Sequence, residues 1–137
     1  AKELITKELT ETPTYEMCGR ITFVGPVLWT RFQKVKSLSK ISGGNVTNLV
    51  DGKQLPGKMT QRLDDSKLVW DALRAEIGKD KFELRLAKPK ELAYYWSVIS
   101  FDIEEPLIIV ETKAHNYILN LSPKDFKLVW LDEAPRK

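Results

Sequence analysis

The sequence predicts an α+β domain: a mainly antiparallel, twisted sheet of about five to seven strands with one or two helices packed on it. Three observations carry this. One segment has an unbroken helical stripe of apolar residues between an acidic start and a glycine stop, and the segments after it switch to two-residue alternation or β-rich runs. The links between those later runs are short, which implies antiparallel neighbours.

Taken in order, Lys2 to Leu9 places Leu4, Ile5 and Leu9 at helical spacing, and Pro13 prevents continuation; residues 1–14 therefore read as a short helix or a loose arm. Tyr15 to Val24 is rich in aromatic and β-branched residues and closes at Gly25-Pro26, the pattern of a strand and turn. From Val27 to Ile41, Leu28, Phe32, Val35, Leu38 and Ile41 recur at steps of four and three, which favours a helix ending near Gly43-Gly44, while the bulky Val27-Leu28-Trp29 start keeps a strand open. Residues 45–59 read as a short strand and turns around Asp51-Gly52 and Pro56-Gly57.

The clearest helix follows. Asp64, Asp65 and Ser66 offer capping oxygens, Leu68, Val69, Ala72, Leu73 and Ile77 form the stripe, and Gly78 occupies the stop. Phe82, Leu84 and Leu86 alternate with Glu83 and Arg85, the signature of a strand with one wet face. Leu92 to Ile103, apolar on both faces, reads as a central strand. Leu107 to Thr112, Tyr117 to Leu121 and Phe126 to Leu131 read as further strands, the last after the turn Ser122-Pro123-Lys124-Asp125. The domain is placed at residues 15–132, with 133–137 a short tail.

Composition narrows the class. With 137 residues, 42% hydrophobic and 30% charged, the chain suits one globular domain. No apolar stretch approaches the roughly 20 residues needed to span a bilayer. The single cysteine, Cys18, allows no internal disulfide, so a reducing, cytoplasmic setting is expected.

The net charge of +3 hides an asymmetry. Between Met17 and Arg62 the cations Arg20, Arg31, Lys34, Lys36, Lys40, Lys53, Lys58 and Arg62 face Asp51 alone, so this third carries 8 − 1 = +7 and the remainder 3 − 7 = −4. Cations interleaved with Trp29 are what single-stranded DNA or RNA needs: ammonium and guanidinium groups neutralise phosphates, and aromatic rings stack on bases. The plainer account of the same residues is a solvated helix face with Trp29 and Phe32 in the core. The sequence thus suggests a non-enzymatic nucleic-acid-binding module using Arg20, Trp29, Arg31, Lys34, Lys36, Lys40, Lys53, Lys58 and Arg62. One alternative is an assembly subunit that associates with itself or a protein partner through Leu92 to Ile103, where Tyr94, Tyr95, Trp96 and Phe101 could equally be core; another is a metal-dependent nuclease acting through Glu111 and Lys113.

Motifs for chemistry fall short. Gly52 to Lys58 has the spacing of a phosphate loop, but Met59 stands where a hydroxyl should hold magnesium. Glu111-Thr112-Lys113 has the Glu-x-Lys form of metal-dependent nucleases, with Asp102 the acid to join it; a hairpin turning at Glu104-Glu105 would hold the two carboxylates about 13 Å apart, too far for one ion. His115 is the only histidine, which excludes a multi-histidine or Cys/His zinc site, and a Cys18–His115 nucleophile pair competes with an ordinary buried Cys18. No cofactor, metal or membrane is expected.

Overall fold

The computed structural model describes residues 2–10, 17–18, 22–32, 34, 46–47, 49–50, 53–54, 61–63, 66–98 and 107–136. In chain order these form α1 (Lys2–Thr10), β1 (Thr22–Val24), α2 (Pro26–Phe32), β2 (Val46–Thr47), β3 (Leu49–Val50), β4 (Lys53–Gln54), β5 (Gln61–Leu63), α3 (Ser66–Ile77), β6 (Phe82–Leu86), α4 (Pro89–Val98), β7 (Leu107–Thr112), β8 (Asn116–Leu121) and β9 (Leu128–Ala134). The fold is α+β, with four described helices rather than one or two.

Seven strands make one sheet in the order β2-β5-β1-β9-β8-β7-β6, and β3 pairs with β4 in a separate ribbon. Every neighbour in the large sheet is antiparallel except β1 and β9, which run parallel with Phe23 beside Trp130. The alternation of side chains sorts the core into two layers. On one face Ile108, Val110, Tyr117, Leu119 and Leu131 pack with Ile5 and Leu9 of α1, Leu28 and Phe32 of α2, and Trp70 and Leu73 of α3. On the other, Leu107, Ile109, Ile118, Trp130 and Ala134 pack with Tyr95 of α4. Each fully buried Leu or Ile contributes roughly 1.5–3 kcal/mol relative to exposure.

Local signals explain most boundaries. α3 begins at Ser66 and stops at Gly78, whose φ of +61° is the left-handed conformation that glycine adopts at a helix end. α1 is docked rather than loose, because Ile5 and Leu9 are buried in the main core. The strand expected over 15–24 is a strand only at Thr22–Val24 among its described residues, since Met17 lies in a turn. β9 runs on to Ala134, two residues past the expected domain edge, and buries Ala134.

The largest correction concerns Leu92 to Ile103. Its described part belongs to helix α4, with Leu92 and Tyr95 turned onto the sheet. Pro89 stands at the first helical position, and the Glu91 carboxylate accepts the Lys88 N–H at 2.8 Å, so proline geometry and a capping acid start the helix. The same device starts α2 at Pro26, where the sequence suggested a turn. The expected helix over 27–41 is described as helix to Phe32, with Lys34 in a turn; 35–41 lie outside the described residues.

Candidate functional site

The basic third of the chain builds one edge of the sheet. Its strands β2, β5 and β1 are consecutive neighbours, and Arg62 of β5 stands in register with Thr47 on one side and Phe23 on the other. Lys53 lies on β4, in the separate ribbon. Arg20, Lys36, Lys40 and Lys58 lie outside the described residues.

On α2 the anticipated site residues divide. Trp29 is half-buried and packs against the main core. Arg31 reaches back across the molecule: its Nε donates to Glu76 Oε1 at 2.9 Å and its Nη2 pairs with Glu133. Burial works against the guanidinium, yet the hydrogen bond to Glu133 and the charges of both acids outweigh it and hold the pKa above its usual value. Arg31 therefore ties α2 to α3 and β9. Lys34 is exposed in the turn that follows, its amide donating to the Arg31 carbonyl at 3.0 Å.

A second charged surface lies across the sheet, where α4 begins over β6, β7 and β8. A cleft of about 380 Å³ is lined by Arg85, Lys88, Lys90, Glu91, Glu111, Asn116 and Arg136. Arg85 grips Glu91 with two bonds, 2.8 and 2.7 Å, and its Nε lies 3.5 Å from Glu111. Burial alone would raise the Glu91 pKa, but the Arg85 pair and the Lys88 amide bring it below the ordinary value. Asn116 is only 5% exposed, lines this cleft, and its Oδ1 is buried without a hydrogen-bond partner among the described residues. A neighbouring depression shares Glu111 and Arg136 and adds Lys81 and Lys113.

The third polar centre is fully enclosed. Asp132, in the middle of β9, accepts the Leu28 amide at 2.8 Å and the Tyr94 hydroxyl at 2.8 Å. It so caps α2 and anchors α4 at once. Gly25 is required beside it: a Cβ there would lie 2.6 Å from the Cβ of Asp132 and closer still to its carboxyl. Burial pushes the Asp132 carboxyl up to about 6, against the pull of both hydrogen bonds.

The nuclease geometry drawn from the sequence does not stand in its assumed form. β7 pairs with β6 and β8, so Glu111 faces Glu83 and Asn116 rather than a strand over 92–103. Asp102 lies outside the described residues. Among those described, no group of three metal-ligating side chains occurs. His115 stands 3.4 Å from Glu133 through Nδ1, and Cys18 is half-buried against the main core. Of the phosphate-loop lookalike, only Lys53 and Gln54 are described, as β4.

Sequence reasoning missed Asn116, Arg136 and Asp132. For Asp132 a signal existed, a single acid interrupting the apolar run Leu128-Val129-Trp130-Leu131; for the cleft there was none, because its walls come from four separate elements. No family model matches the chain, and no curated protein or solved structure is significantly similar to it. No described helix is long and apolar enough to cross a membrane.

Proposed function

We propose that the protein is a non-enzymatic binding module that takes up nucleic acid, single-stranded or read through its backbone, along the edge formed by β2, β5 and β1. One observation supports the reading: the third of the chain with a charge of +7 supplies three consecutive strands, with Arg62 on the middle one and Lys34 exposed just after α2. Lys34 and Arg62 are assigned to phosphates, and the charge pattern of the sequence adds Lys36, Lys40, Lys53 and Lys58 as candidates for the same role. Arg31 is reassigned to holding the fold, since its guanidinium is committed to two carboxylates. Titration of labelled single-stranded DNA, RNA and duplex at several salt concentrations tests it. Affinity should fall steeply with salt, and replacing Lys34, Lys36 and Lys40 together by glutamate should weaken binding at least about tenfold. Affinity that is absent at low salt, or indifferent to salt, overturns the reading.

A second reading is favoured by Asn116. A buried carboxamide with an idle oxygen, beside Lys88, Lys90 and Arg136, suits a small anion that also carries a hydrogen-bond donor. Calorimetric titration of phosphorylated and carboxylated compounds checks it: binding that survives in Asn116→Leu removes its basis.

A further inference from the structure

β6 ends the sheet, and its outer side is unpaired among the described residues. The Ala87 amide donates to the Leu107 carbonyl at 3.1 Å, which fixes the phase of the β6–β7 ladder. Hydrogen-bonded pairs alternate with non-bonded ones in an antiparallel ladder, so Arg85 and Glu83 bond to β7, and the backbone groups of Phe82, Leu84 and Leu86 point outward. The Leu86 carbonyl accepts Arg85 Nη1 at 3.2 Å, using one of its two lone pairs. Leu86 is also 59% exposed, far more than a side chain of that size needs to be.

We infer that this edge pairs with the same edge of a second copy of the chain, joining two sheets about a two-fold axis through Leu84. The sequence Asp80-Lys81-Phe82-Glu83-Leu84-Arg85-Leu86-Ala87-Lys88 is self-complementary when laid against itself in reverse. Leu84 meets Leu84, Phe82 meets Leu86, Glu83 meets Arg85 and Asp80 meets Lys88. All three outward-pointing residues then form hydrogen-bonded pairs, Glu83 and Asp80 meet the opposite charges of Arg85 and Lys88, and Lys81 faces the neutral Ala87. Sliding by one pair in either direction sets Glu83 against Glu83 with Lys81 against Arg85, or Arg85 against Arg85, so of these three registers only the one centred on Leu84 avoids like charges.

The side chains agree with the backbone. Phe82, Leu84 and Leu86 share one face by alternation, and beside Phe82 lies a groove of about 610 Å³ between β6 and α1, with Thr6 and Thr10 on its far wall. The exposed Leu86 of the second copy arrives opposite Phe82, on the face that borders this groove. Charged side chains on an edge strand normally serve to discourage pairing. Here their order selects a like strand.

A five-residue edge buries little area, so the dimer belongs to the weak class, below about 1,200 Å² in total, and should build up between about 10 and 500 μM. Sedimentation velocity on the full chain over that range should show a monomer–dimer equilibrium. Glu83→Lys, which changes an exposed side chain and sets lysine against Arg85, should raise the dissociation constant at least about tenfold. Amide hydrogen exchange gives a readout independent of any variant: the Leu84 and Leu86 amides should gain protection as concentration rises, while that of Arg85, already bonded to β7, stays unchanged. A strict monomer at 500 μM overturns the inference. So does a dimer in which the Leu84 amide exchanges at the same rate as in the monomer. Nucleic-acid affinity is read separately, and either proposal can fail without the other.

Discussion

Two carboxyl groups on the α4 side of the sheet meet burial in opposite ways. Glu91 is 4% exposed and Asp132 fully enclosed, yet the first is held below the ordinary carboxyl range and the second is raised to about 6. The difference lies in the partners. Glu91 has a guanidinium in bidentate contact, whereas Asp132 has an amide and a phenol, neutral donors that recover only part of the lost hydration. A cation holds the pKa of a buried acid down inside this layer, and neutral hydrogen bonds alone do not. Their linkage to pH therefore has opposite signs. The stability that Glu91 contributes is complete above about 4.5 and is lost as pH falls through its lowered pKa. That of Asp132 is complete below about 3.8 and is lost as pH rises through about 6.

The largest way to break this contrast is Arg85→Ala, which leaves the Glu91 charge buried without its cation. A loss of about 3 kcal/mol in urea unfolding at pH 7 is expected, with part of it restored when Glu91→Gln is added. Next comes Gly25→Ala, where the new methyl overlaps Asp132; a loss of about 2–3 kcal/mol is expected, read as a lower denaturation midpoint with an unchanged slope. Asp132→Asn sharpens the comparison, because the amide keeps an acceptor for Leu28 but does not ionise. The variant should gain roughly 2 kcal/mol over the natural chain at pH 7 and lose that advantage by pH 4. An unchanged pH profile would show that Asp132 is solvated after all. Glu133→Gln gives the smallest effect, under about 1 kcal/mol, because the Arg31 and His115 pairs are partly wet.

What was legible in the sequence is what is local. The α3 stripe with its Gly78 stop, the alternation of β6 and the β-rich runs of β7, β8 and β9 all carry their period within a few residues. α4 was misread because Tyr94, Tyr95, Trp96 and Val98 are types that favour strands, and the stretch lacks a clean helical stripe; Pro89 and Glu91, at the first and third helical positions, were the better guides. Pro26 repeats the lesson at α2. The concentration of charge between Met17 and Arg62 was also visible, and so was the possibility that it forms a surface. Nothing local says that Arg31 belongs to Glu76 and Glu133, since those contacts exist only once α3 and β9 have been laid beside α2.

The parallel contact of β1 with β9 has one more consequence. Thr22 donates its hydroxyl to the Leu128 carbonyl across 106 residues, and the strand that unites the two halves of the sheet is the last of the described strands in the order of synthesis. A ribosome that has released everything up to β8 has produced two pieces of sheet with no seam between them. High contact order of this kind makes folding slow, and it leaves the flanks of β1 and β8 open to wrong pairings until the closing strand emerges.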